Sequence, residues 1–184
     1  VTMMDPQQRL LMDHSWFAIE SAHISWPLPE STGVFFGLWN VDFRGVGELA
    51  LSDQGDFHFG TGSSPSIAAG RVCFSLGLQG PAMVVDTACS SGLVALNVAM
   101  RYCFHGECEM ALVGAANVIL SLGVHRHFKA AGMLSPDSRG KSFDALANGY
   151  VRSEGCTVFA VGVGTGEGVG RVVACGVNQD GRSG

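Results

Sequence analysis

Three apolar runs separated by sharp breaks constrain the fold of this chain more than anything else in it. Val84-Val85 follows the turn signal Gln79-Gly80-Pro81 and reads as a short buried strand. Leu93 to Phe104 is apolar on nearly every face, the pattern of a helix covered on all sides, and Gly106 supplies its stop. Ala111-Leu112-Val113-Gly114-Ala115 is a second buried strand. Strand, helix and strand in that order require a parallel pairing, because the chain must cross over before it can run the same way again. An α/β core follows.

Cys89 sits between the first strand and the helix, in Asp86-Thr87-Ala88-Cys89-Ser90-Ser91-Gly92. The first N–H groups of a helix lack intrahelical partners and carry the positive end of its dipole, so a thiolate placed there is stabilised. Tight strand-to-helix turns also push nucleophiles into pockets, with backbone N–H groups at hand for an oxyanion. The small neighbours leave room for a substrate. A free cysteine is equally at home as a small buried hydrophobe, and position alone leaves both readings open.

Composition removes several classes of function. The chain has 184 residues, 47% hydrophobic and only 15% charged, enough for one domain with a sizeable core. A formal charge of -5 offers no basic surface for nucleic acid or an anionic membrane. Met110 to Val124 lacks acidic and basic residues but is broken by Gly114, Asn117, Ser121 and Gly123, so no membrane span is expected. The six cysteines form no Cys-x-x-Cys pair and lie mostly in apolar runs, which reads as reduced intracellular thiols. Cys103, His105 and Cys108 match no common zinc spacing, and His125-Arg126-His127 has no carboxylate beside it; no metal is expected.

The remaining elements follow from punctuation. Asp5-Pro6-Gln7-Gln8 opens a helix with Asp as N-cap, Pro at the first position and Gln three residues after the cap; helical spacing carries it to about Ala22. Gly33-Val34-Phe35-Phe36-Gly37 is a short buried strand. Asn40 to Gly62 reads as loop with one short helix, and Ser64-Pro65 opens a helix to Gly77. Phe128 to Leu134 is a short helix or turn, and Ser135 to Gly140 a loop. Cys156 to Val161 and Arg171 to Val177 read as two strands joined by a flexible hairpin connection in which glycines alternate from Gly162 to Gly170. Those glycines match neither Gly-x-Gly-x-x-Gly nor the Walker pattern.

Asp86-Thr87-Ala88-Cys89-Ser90-Ser91 resembles the active-site signature of β-ketoacyl synthase domains, in particular those of type I polyketide synthases and the related animal-type fatty acid synthases. Asp5-Pro6-Gln7-Gln8-Arg9 is similar to the opening signature of type I synthases. Gly60-Thr61-Gly62, Ala69-Gly70-Arg71-Val72, Leu78-Gln79-Gly80-Pro81, Gly132 to Asp137, Phe143-Asp144-Ala145, Gly149-Tyr150-Val151-Arg152 and Val177 to Ser183 follow the family's order. Two departures are Ser153 before Glu154-Gly155, where many relatives have glycine, and a shorter connection from Cys156 to Asn178.

The resemblance implies a thiolase-like fold, layered α/β/α/β/α, of which residues 1–184 are a partial domain covering most of the N-terminal half. It implies that Cys89 is the acyl-accepting nucleophile and that Phe128 lies in an acyl pocket. It further implies no directly bound cofactor, substrates presented on the phosphopantetheine of acyl carrier protein, neighbouring domains such as an acyltransferase, a homodimer, and a cytoplasmic location. The family's two catalytic histidines and supporting lysine fall downstream of Asn178-Gln179-Asp180-Gly181, outside this chain. A fatty acid synthase ketosynthase and a non-elongating, acyl-gating relative are the alternatives.

Overall fold

The computed structural model describes residues 3–50, 57–164 and 168–182. Its centre is a four-stranded sheet in the order β2-β1-β3-β4, formed by β1 (Gly33–Gly37), β2 (Ala82–Val85), β3 (Met110–Asn117) and β4 (Gly155–Gly162). β1 pairs in parallel with β2 and β3, in the registers Val34 with Ala82 and Val34 with Leu112. β4 closes the other side antiparallel to β3, with Leu112 opposite Ala160. The two strands that flank the crossover helix therefore run parallel, as expected, but do not pair with each other: β1 is inserted between them and pairs with both.

Strand alternation divides the core into two faces. Val34, Phe36, Leu38, Leu112 and Ala116 pack with Leu11 and Ile19 of α1 (Pro6–Ser21) and with Ala68, Ala69 and Val72 of α4 (Ile67–Leu76). Phe35, Ala111 and Val113 face the other way, onto Ala95, Ala99 and Cys103 of α5 (Ser91–Phe104). Strands covered on both sides have no need of polar alternation, which is why β1 is apolar and buried throughout.

The caps follow the sequence in part. Asp5 is the N-cap of α1, accepting from Gln7 N at 2.8 Å, with Pro6 next. Gln8 does not reach back to close a capping box; its amide donates instead to Thr61 O and Ser64 O and accepts from Arg71 Nε. Gly77 ends α4 at φ 68, and Gly106 follows α5 at φ 74, the left-handed conformation that glycine adopts without penalty.

Four expectations need correction. α4 begins at Ile67, not at Ser64: Ile67 N and Ala68 N bond back to Ser64 O and Pro65 O, and the Ser64 hydroxyl is engaged with that of Ser66. The stretch after Asn40 holds two helices, α2 (Asp42–Ala50) and α3 (Phe57–Ser63), with residues 51–56 outside the described set. The helix expected at Phe128 starts earlier, as α6 (Gly123–Ala130). Arg171 to Val177 is exposed and irregular, and among the described residues it pairs with no strand; apolar residues form a strand only where a ladder receives them. Part of the glycine alternation before it lies outside the described residues.

α5 also departs from its sequence pattern. One sheet covers one face, so Leu93 and Phe104 remain 71% and 82% exposed on the other. Among the described residues no helix is long and apolar enough to cross a membrane.

Candidate active site

The carboxyl ends of β1, β2 and β3 come out on one edge of the sheet; the connection after β1 returns over the face of α1 and α4, and the connection after β2 over the opposite face, through α5. In open α/β sheets that switch point is where a crevice forms. Cys89 is placed there. β2 ends at Val85, and Ala88–Ser90 make one 3-10 turn before α5 begins at Ser91. Ala88 has φ 54, a left-handed conformation that an alanine adopts only when its surroundings impose it.

The imposing contacts are visible. Ala88 N donates to Asp86 Oδ1 at 3.0 Å, Thr87 N donates to Ser91 Oγ at 2.9 Å, and Ser91 Oγ donates to Ala88 O at 2.7 Å. Ser90 Oγ bonds to both Thr87 O and Thr87 Oγ1. The small polar residues around the cysteine thus clamp the backbone of the elbow. The Cys89 thiol takes part in none of these bonds, and the residue is exposed.

Two glycines let the elbow sit close to the sheet. A Cβ on Gly37, at the end of β1, would lie 2.5 Å from Gly92 N, and one on Gly92 would meet the Ala115 side chain at 3.1 Å. The first turn of α5 therefore rests on bare backbone at the strand ends.

Three aromatic rings and one guanidinium stand at the same edge. Phe128 on α6 lies 6.1 Å from the ring of Trp39, just past β1, and 6.2 Å from Tyr150 in an edge-on contact. Arg152 covers the Phe128 ring, with Cζ 5.9 Å from its centroid. Burial pushes the Tyr150 phenol above its ordinary range; the Cys89 thiolate adds to the rise and Arg152 opposes it. Sequence reasoning selected Cys89 and Phe128; it missed Trp39, Tyr150 and Arg152 as parts of one cluster. The signal was present in Gly149-Tyr150-Val151-Arg152, but periodicity gives no hint that this segment folds back. Backbone bonds between Tyr150 and both Met133 and Ser135 are what return it.

A buried polar brace supports these parts from below. Gln7 Nε2 donates to Asn40 O at 2.9 Å, and Gln7 Oε1 accepts from Val118 N at 3.3 Å, tying α1 to the ends of β1 and β3. Asn40 Nδ2 donates to Val118 O, while Asp42 accepts from Leu120 N, Ser121 N and Ser121 Oγ. His105 caps α5, and His14 lies on α1 with its ring 6.0 Å from Phe17. Among the described residues no three His, Cys, Asp or Glu side chains are grouped to hold a metal.

The sequence matches the family described as "Beta-ketoacyl synthase, N-terminal domain" over residues 1–162. The chain belongs to the β-ketoacyl synthase family. It is 39% identical over 189 residues to a mycocerosic acid synthase-like polyketide synthase of Mycolicibacterium smegmatis, covering 98% of this chain and 9% of that one. It is 44% identical over 160 residues to an erythronolide synthase of Saccharopolyspora erythraea, covering 86% and 5%. Among solved structures, the ketosynthase from module 6 of the Bacillus subtilis bacillaene synthase superposes with TM-score 0.75 at 34% identity, covering 87% of this chain and 27% of that one. A Streptomyces albus oxazolomycin ketosynthase domain gives the same TM-score at 33% identity, covering 87% and 29%. The α/β fold with its mixed sheet is thus the thiolase-like fold of ketosynthases, and the chain spans under a third of the solved ketosynthases and about a tenth or less of the curated relatives.

The six cysteines differ enough to be told apart chemically. Cys89 and Cys175 are exposed, whereas Cys73, Cys103 and Cys108 are buried. Burial pushes the Cys103 thiol up to about 12, with the Cys108 sulfur at 3.5 Å adding to it, and pushes Cys156 up to about 11. A raised thiol value means less thiolate near neutral pH, about a hundredfold less for Cys156 than for a thiol at the reference value of 9.0. Iodoacetamide at neutral pH is expected to label Cys89 and Cys175 first and to reach Cys103 and Cys156 only towards alkaline pH. Peptide mass spectrometry reads the order; Cys156 labelling as fast as Cys89 contradicts it.

Proposed function

We propose that this chain carries the nucleophile-bearing part of a ketosynthase of a type I polyketide synthase, and that Cys89 is its acyl acceptor. The observation that carries the reading is an exposed thiol on a clamped strand-to-helix turn at the switch point, inside a segment belonging to the β-ketoacyl synthase family. The substrate is an acyl thioester presented on the phosphopantetheine arm of an acyl carrier protein. Cys89 Sγ attacks its carbonyl carbon as the thiolate, the tetrahedral oxyanion collapses, and the pantetheine thiolate leaves and takes up a proton. A malonyl-type extender on a second carrier then loses carbon dioxide. The resulting carbanion attacks the acyl carbonyl, Cys89 leaves as thiolate, and a 3-oxoacyl chain remains on the carrier.

A thiolate suits both halves, being a good nucleophile and a good leaving group. The N-terminal end of α5 presents the positive end of its dipole to the charge that develops beside Cys89. Phe128, with Trp39 and Tyr150, forms the apolar wall along which the acyl chain lies. A homodimer and a neighbouring acyltransferase domain complete the proposed assembly.

The test is acylation. Full-length protein carrying these residues is expected to gain one acyl group at Cys89 when given an acyl-N-acetylcysteamine thioester, and Cys89→Ala is expected to lose it entirely. Persistence of the acyl mass on the Cys89→Ala protein would sink the assignment.

A further inference from the structure

Arg152 stands out among the described residues. Both of its terminal guanidinium nitrogens are enclosed and, among the described residues, neither has a hydrogen-bond partner. Buried donors left unpaired are costly, so such a group persists only where something else holds it. What holds it here is the Phe128 ring, over which Cζ sits at 5.9 Å from the centroid, within range of cation–π attraction.

The two partners are placed by different means. The segment around Arg152 is held at several points: Tyr150 N donates to Met133 O at 3.0 Å in the loop after α6, Asn117 Nδ2 at the end of β3 donates to Ser153 O at 2.7 Å, and Ile119 N donates to the Glu154 carboxylate at 2.7 Å. Phe128 sits on a helix of eight residues, none of which is fully buried. Its ring meets Trp39 and Tyr150 only at centroid distances above 6 Å. Among the described residues, the guanidinium itself is held by no hydrogen bond from its terminal nitrogens; it is placed over the ring by the bonded backbone on either side of it.

We propose that Arg152 is a specificity-determining positioning residue: by lying over the Phe128 ring it fixes the depth of the acyl pocket and so the length of chain that Cys89 accepts. This rests on the reading of Cys89 as acyl acceptor and of Phe128 as pocket wall. Arg152 acts on the substrate through Phe128, without touching it. With the cation removed, the ring is free to swing aside and the pocket deepens.

The experiment measures rates of Cys89 acylation in the full-length protein with acetyl, butyryl, hexanoyl and octanoyl thioesters. Arg152→Met, which keeps the bulk and loses the charge, is expected to raise the octanoyl-to-acetyl rate ratio roughly fivefold, the size of an ordinary cation–π contact. Arg152→Lys keeps a cation over the ring and is expected to stay within about twofold of wild type. In a Phe128→Leu background, Arg152→Met is expected to change the ratio no further, because the ring through which it acts is gone. A purely structural role lowers all rates together and leaves the ratio unmoved. An unchanged ratio in Arg152→Met, or an effect that persists without Phe128, overturns the proposal while wild-type loading at Cys89 still stands. If Arg152→Met does not fold, Arg152→Gln carries the same comparison. Wild-type protein that takes no acyl group at Cys89 overturns the functional reading itself, and this one with it.

Discussion

Gly37→Ala is expected to displace the start of α5 and cost about 3 kcal/mol, the upper end of what overpacking a tight contact costs. The argument is one of distance. An added Cβ would stand 2.5 Å from Gly92 N, 2.6 Å from the Ser91 carbonyl carbon and 2.9 Å from Gly92 Cα. All three are backbone atoms, so no side chain can turn aside to make room. Either β1 or the first turn of α5 must shift, and β1 is held on both edges by β2 and β3. The first turn therefore moves, carrying with it the Ser91 hydroxyl that clamps Thr87 N and Ala88 O around Cys89. Hydrogen exchange of amides in residues 88–104 is expected to quicken by about a hundredfold, since each 1.4 kcal/mol is a factor of ten, and Cys89 acylation is expected to fall with it. Gly45→Ala is the control: on α2, a Cβ at Gly45 meets nothing within 4 Å, so it is expected to be neutral or slightly stabilising. Exchange in residues 88–104 that is unchanged by Gly37→Ala would contradict the argument.

That contact also marks how far the sequence could be read. β1 was legible to the residue, because three large apolar residues bounded by glycines leave little else to be, and Gly77 and Gly106 were legible as helix stops because both adopt positive φ. Cys89 at a strand-to-helix junction was legible for the same reason. The elbow's tension was not: the positive φ of Ala88 arises from hydrogen bonds among Asp86, Thr87, Ser90 and Ser91, and no propensity forecasts a left-handed alanine. Nor was the convergence of Trp39, Phe128, Tyr150 and Arg152, which lie far apart in the chain and whose meeting depends on bonds between a loop and a helix end. The expected strand at Arg171 failed for a complementary reason. Its pattern is adequate, but a strand is a property of a pair, and among the described residues no partner is offered to it.

The polar brace around Asp42 gives the second large effect. Asp42→Ala is expected to cost about 3 kcal/mol or more, because it strands two backbone donors, Leu120 N and Ser121 N, that now share Oδ2, and releases the Ser121 hydroxyl from Oδ1. These bonds fix the turn that leads into α6, and α6 carries Phe128. The loss is therefore expected to reach Phe128 as well as the fold; on the proposed role of that ring, octanoyl and acetyl loading should both slow. Asp42→Asn separates hydrogen bonding from charge. Its amide oxygen can accept from both backbone N–H groups while its NH₂ donates to the Ser121 hydroxyl, which serves equally well as acceptor. All three bonds survive, and only their charge assistance goes, so the expected cost is about 1 kcal/mol. The two variants thus predict an order, alanine far worse than asparagine, in thermal unfolding and in acylation rate alike. If asparagine proves as damaging as alanine, the carboxylate's charge and not its bonding geometry holds the turn, and the source of that dependence must be sought in the cationic groups nearest to it.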